Sequence, residues 1–100
     1  MSNRMDDRLE KLLYEKYPKI FPTPLRWGFE CRDGWYELID ELCRRITEYL
    51  EKHPTVSSVV VIQVKQKFAT LRVHVTGGNK ITDQLIDDAC RISSNVCEEC

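Results

Sequence analysis

Apolar residues recur with a helical period in three stretches of this chain and with a strand period in two. Leu9, Leu12, Leu13 and Tyr17 fall on one stripe, which Met5 extends backwards. Asp6 and Asp7 suit the positive end of a helix dipole, and Pro18 stops the pattern, so the spacing predicts a first helix over 6–17. Trp35, Leu38, Ile39, Leu42, Cys43, Ile46, Tyr49 and Leu50 give the clearest helical period, a second helix over 34–52. Asp33 is its expected N-cap, and His53-Pro54 ends it. A third helix is expected over 82–95, with Leu85, Ala89, Ile92 and Val96 as its buried stripe. Thr82 is its expected cap, and Ile81 and Ile86 are placed as a hydrophobic staple.

The period-two stretches lie between the second and third helices. Val59 to Val64 is a β-branched run that suits a strand better than a helix, and it predicts a strand over 58–65. A second strand is expected over 70–76, with Leu71, Val73 and Val75 on one face. Strict alternation pairs these with Val60, Ile62 and Val64 beneath the second and third helices. Val59 and Val61 then point the other way and need cover. The candidates are the 25–29 segment, the first helix, or a second copy joined through a strand edge. Leu25, Trp27 and Phe29 alternate within a Pro- and Gly-interrupted loop, so a short third strand is possible near 25–29. The reading is a single α+β domain over 1–100, ordered α-α-β-β-α, with an antiparallel hairpin packed against helices.

Composition narrows the class. A domain of 100 residues buries only about two-thirds of its unfolded surface, so a dimer or a metal would add materially to stability. No run approaches ~20 apolar residues and the N-terminal stretch lacks a signal-peptide core, which points to the cytoplasm and away from membranes. The odd number of cysteines, five, favours reduced thiols over a disulfide scaffold. The formal net charge is −1, but it is unevenly spread. Between Pro54 and Thr82 there are four bases, Lys65, Lys67, Arg72 and Lys80, and none of the 16 acids.

Four groups of residues carry candidate chemistry. Cys97 and Cys100 have the spacing of half a zinc site, which Cys31 and either His53 or His74 would have to complete; otherwise they are tail thiols. A redox role fits poorly, because the pair follows a helix and encloses two carboxylates that disfavour a thiolate. Cys43 and Cys90 read as small core residues. Trp27, Phe29, Trp35 and Tyr36 are either core anchors or a partner-binding hot spot. Lys65, Lys67, Arg72 and His74 form a candidate anion-binding face on the hairpin, or a solvated strand surface. Phosphate-binding glycine loops, paired catalytic carboxylates and recognisable nucleophile motifs are missing from the sequence, so no enzymatic activity is expected.

Three segments together resemble a group of small uncharacterised phage and prophage proteins. They are Trp27-Gly-Phe-Glu-Cys-Arg-Asp-Gly-Trp-Tyr-Glu-Leu-Ile-Asp-Glu-Leu-Cys43, Gln63-Val-Lys-Gln-Lys-Phe-Ala-Thr-Leu-Arg72 and Val96-Cys-Glu-Glu-Cys100. Longer members of that group continue past the terminal Cys-x-x-Cys into further Cys and His residues, like a small zinc ribbon. This chain ends at Cys100, so its zinc site is half a set. That group has no assigned activity to carry over. The reading is a small cytoplasmic protein of a bacterial host that binds a host or phage protein through the aromatic loop or the strand edge, and the phage-like provenance adds host takeover or escape from host defence as the expected role. The alternative is a nucleic-acid-binding module that uses the basic hairpin face and a zinc knuckle.

Overall fold

Where the apolar period changes from helical to alternating, the backbone changes from helix to strand. A computed structural model describes residues 4–97. These form α1 (Asp7–Lys16), β1 (Phe29–Glu30), a 3-10 turn (Asp33–Trp35), α2 (Tyr36–Lys52), β2 (Val60–Lys67), β3 (Thr70–Thr76) and α3 (Lys80–Ser93). The order is the expected α-α-β-β-α, and the third short strand falls at the end of the alternating Leu25–Phe29 segment.

The sheet has the order β1-β2-β3. β2 and β3 are an antiparallel hairpin, and β1 pairs in parallel with β2 through Phe29 beside Val64 and Glu30 beside Lys65. The hairpin register holds the main departure from simple alternation. Val61 faces Val75, but His74 faces Gln63, so Ile62 is an extra residue in a β-bulge. The bulge slips the in–out pattern by one. Val59, Val61 and Val64 therefore all point into the core, with Leu71 on the partner strand, while Ile62 is exposed. The expected pairing of Val60 and Ile62 with the core face is thus corrected, and Val59 and Val61 need no separate cover. Val61 N–H also donates to the Ile20 carbonyl at 2.9 Å, so the loop after α1 continues the edge pairing that β1 begins.

All of the packing is on one side of this sheet. Ile39, Leu42, Cys43 and Ile46 of α2 and Ile86 and Ala89 of α3 join Phe29, Val64 and Leu71 in one buried cluster. Each fully buried aliphatic or aromatic side chain there contributes roughly 1.5–3 kcal/mol. Tyr14, Phe21 and Phe29 meet ring to ring at 5.4–5.7 Å and fasten α1 and the loop to β1. Trp35 is fully buried, and its indole N–H donates to the Val96 carbonyl at 2.8 Å, which ties the chain after α3 to the start of α2.

Helix ends depart from the expected caps. Asp33 does not cap α2; its carboxylate accepts from Asp6 N–H at 2.8 Å, and α2 winds directly out of the 3-10 turn. The cap of α3 is Asn79, whose side chain accepts from Ile81 and Thr82 N–H, while the Thr82 hydroxyl accepts from Asn79 N–H. Thr82 is the third residue of that capping box, and it is buried. Ile81 is half exposed, as are Leu12 and Ile92, so the staple and two stripe positions fall outside the core.

The outer edge of β3 is partly closed by α3. Ser93 Oγ accepts from Leu71 N–H at 2.8 Å, and its hydroxyl donates to the Cys90 carbonyl at 2.6 Å. A dimer through the hairpin edge would have to displace these groups. At the other end of the hairpin, Lys67 faces Thr70 across a two-residue turn of Phe68 and Ala69, with φ of 53° and 60°. Such turns favour Asn-Gly, because residues with a Cβ resist positive φ at a cost on the order of 1 kcal/mol each.

Candidate functional site

Alternation along β2 and β3 sends every second side chain away from the helices. After the bulge those outward positions are Gln63, Lys65 and Lys67 on β2, and on β3 they are Thr70, Arg72, His74 and Thr76. Lys65 lies directly opposite Arg72, and Gln63 opposite His74. The four residues of the candidate anion-binding set, Lys65, Lys67, Arg72 and His74, are therefore brought together on one open face.

Like charges directly opposite one another in a sheet are unfavourable, so this arrangement is not one that folding selects for. No carboxylate among the described residues forms an ion pair with Lys65, Lys67 or Arg72. Glu30 is beside Lys65 in the sheet, but its carboxylate accepts from Gln63 Nε2 at 3.0 Å. The arginines of α2 and α3 show the opposite pattern: Arg44 pairs with Glu41 and Glu48, Arg45 with Glu41 and Arg91 with Asp88, each on its own helix.

Two exposed apolar residues bracket the cations. Ile62, pushed outward by the bulge, is 48% exposed, and Phe68 at the hairpin tip is 82% exposed. Lys67 Nζ sits 5.6 Å from the centre of the Phe68 ring. Neither stands out in the sequence as an exposed residue. Ile62 was hidden in a run apolar at every position, and Phe68-Ala69 lacks the usual composition of a tight turn.

The aromatic set is not one surface. Phe29 faces the core from β1, Trp35 is enclosed where the 3-10 turn meets α2, and Tyr36 is half-buried. Only Trp27 is open, at 53% exposure, with the Arg26 guanidinium 5.0 Å from its ring. Phe29 and Trp35 anchor the fold and cannot reach a partner without unfolding.

The metal candidates do not come together in the described residues. Cys31 is fully buried and Cys97 is exposed, while Cys100 lies outside the described residues. His53 stacks on Tyr49 at the end of α2, and His74 is on the open sheet face. Among the described residues no group of three or more His, Cys, Asp or Glu is placed to hold a metal. Cys43 is a core thiol as expected, whereas Cys90 is half-buried against the core. Burial pushes both pKa values up, with Asp40 adding to the effect at Cys43 and Asp87 at Cys90. No helix among the described residues is long and apolar enough to cross a membrane. Compared with models of known families, with curated proteins and with solved structures, the chain matches none.

Proposed function

We propose that this protein is a non-enzymatic binding module that holds an acidic protein partner on the open face of its sheet. The observation that carries this reading is the cross-strand cluster of Lys65, Lys67, Arg72 and His74, whose Lys and Arg side chains form no ion pair with a carboxylate of the described residues. Apolar Ile62 and Val60 on the same face favour a protein over a nucleic acid, since a strand of bases would be served by a row of aromatic rings. The resemblance to phage and prophage proteins supports a host or phage protein as the partner. The groups with shifted titration are accounted for by surface hydrogen bonds and by burial. Asp6, Glu41 and Asp88 are lowered by surface hydrogen bonds, and Tyr14 and Tyr17 are raised chiefly by burial in the fold.

Fluorescence anisotropy tests the reading with two labelled probes of equal charge, a glutamate-rich peptide and a single-stranded oligonucleotide. The peptide is expected to bind the wild type, weaken as salt rises, and lose binding to Lys65→Glu/Arg72→Glu while that variant keeps its circular dichroism. Tighter binding of the oligonucleotide with a steep salt slope would move the assignment to nucleic acid. Binding of neither probe would end it.

A further inference from the structure

The hairpin tip is built against the local preferences of the chain. A two-residue turn with both φ values positive is the natural place for Asn-Gly, yet Phe68 and Ala69 occupy it at φ 53° and 60°. The strain is not repaid by packing. Phe68 is the most exposed large apolar side chain described, and its one ring contact is the ammonium of its neighbour Lys67. The second exposed apolar residue of this face, Ile62, also sits at a backbone irregularity, the bulge that turns it outward. Two departures from regular hairpin geometry thus each present an apolar side chain to water, and Lys65, Lys67 and Arg72 lie between them.

We infer that the face reads a particular pattern in its partner: an extended acidic segment flanked by two apolar residues, with Phe68 as the principal anchor. This rests on the acidic-partner reading and specifies it. Ile62 and Phe68 are six residues apart, which in a strand is roughly 20 Å. An extended partner covers that span in about six residues. Its carboxylates would lie over Lys65, Lys67 and Arg72, and its apolar ends would pack on Ile62 and Phe68. Charge alone would accept any acidic chain, whereas the apolar pair sets the spacing. Aromatic anchors surrounded by charge dominate binding at such surfaces.

Three labelled peptides of equal net charge test this. One carries leucines six positions apart around an acidic core, one has the same residues with the leucines adjacent, and one has serines for leucines. The spaced peptide is expected to bind the wild type at least tenfold more tightly than the others. Phe68→Ser should remove that advantage and leave the weaker charge-driven binding that all three share. Phe68→Asn/Ala69→Gly should lose the same advantage while raising Tm by a few degrees, since it installs the preferred turn. Equal binding of the three peptides to the wild type would overturn the spacing pattern and leave the acidic-partner reading standing. Failure of all three to bind, even at low salt, would instead remove that reading. An advantage that survives Phe68→Ser overturns the role of Phe68. So does a Phe68-dependent dimer seen by sedimentation, or Phe68-dependent binding to phosphatidylglycerol vesicles that exceeds binding to the spaced peptide; these would assign the tip to a second copy or to a lipid surface.

Discussion

One face of the β2–β3 hairpin carries Val59, Val61, Val64 and Leu71, packed under α2 and α3; the other carries Ile62, Lys65, Lys67, Arg72 and His74, with no helix over it. The same two strands supply both. On the covered face Val61 lies opposite Val75 and Val64 opposite Val73, as burial requires, and the one polar residue is Gln66, opposite Leu71 near the tip. On the open face cation lies opposite cation, and apolar side chains occupy a bulge and a strained turn. The covered face satisfies the rules of folding, while the open face repeatedly breaks them. Stability and recognition are therefore expected to separate by mutation along a plane one strand thick.

The largest effect should come from the interior that the covered face helps to build. Trp35→Ala removes a fully buried indole and leaves the Val96 carbonyl without its donor. A loss of about 3–5 kcal/mol is expected in urea denaturation. A loss under ~1 kcal/mol would mean that the helix layer holds without its central aromatic, and the contrast between the faces would weaken.

A smaller loss should follow at the seam between α3 and the sheet. Ser93→Ala takes the acceptor from the Leu71 N–H in a buried setting, at an expected cost of about 1–3 kcal/mol. The same variant uncovers part of the β3 edge, so self-association should rise with concentration in sedimentation. Unchanged stability and a monomeric profile would show that the edge does not depend on this cover.

How far the two faces could be read from the amino acids follows from the same contrast. The period of α2 extends over 17 residues, and a pattern that long leaves one choice of buried face. The charges of β2 and β3 were equally readable, because Lys65, Lys67, Arg72 and His74 keep strict alternation within each strand. The bulge was not readable. Val59 to Ile62 is apolar at every position, so nothing in the run says which residue is extra. The cap of α3 was misplaced by three residues because Thr82, itself a good cap, occupies the third position of a capping box led by Asn79. Among the aromatics, count and clustering do not distinguish Trp35 from Trp27; burial is decided by contacts distant in sequence, such as the one to Val96.

Alkaline titration should act on the interior through Tyr14 and Tyr17. Burial, first among the causes, pushes the Tyr14 pKa from 10.0 up to about 12, and Tyr17 is raised as well by burial and by its hydrogen bond to Asp40. A phenol whose pKa is raised in the fold ionises more readily in the unfolded chain, so rising pH draws the equilibrium toward the unfolded state. The stability it supports is therefore complete below pH 10 and is lost as pH rises toward 12. Denaturation midpoints should begin to fall near pH 9, where the Cys43 and Cys90 thiols ionise in the unfolded chain, and fall more steeply beyond pH 10, with ultraviolet absorbance showing two phenols that ionise late. A decline that begins near pH 8 would point to groups outside these thiols and phenols.

The smallest expected change in stability tests the open face most directly, because its sign is opposite to the others. Arg72→Thr removes one member of the like-charged pair with Lys65 and places a β-branched residue at an exposed strand position. Unfolding free energy should stay constant or rise by a few tenths of a kcal/mol, as expected for relief of cross-strand repulsion at a solvated site. Binding of the glutamate-rich peptide should fall at the same time, and the salt dependence of what remains should flatten. A face shaped only for folding would gain stability from this change without any loss. Loss of both stability and binding would mean that Arg72 is held by the fold, and the separation of the two faces would fail at its central residue. Gain of one with loss of the other is the result that a surface kept for recognition requires.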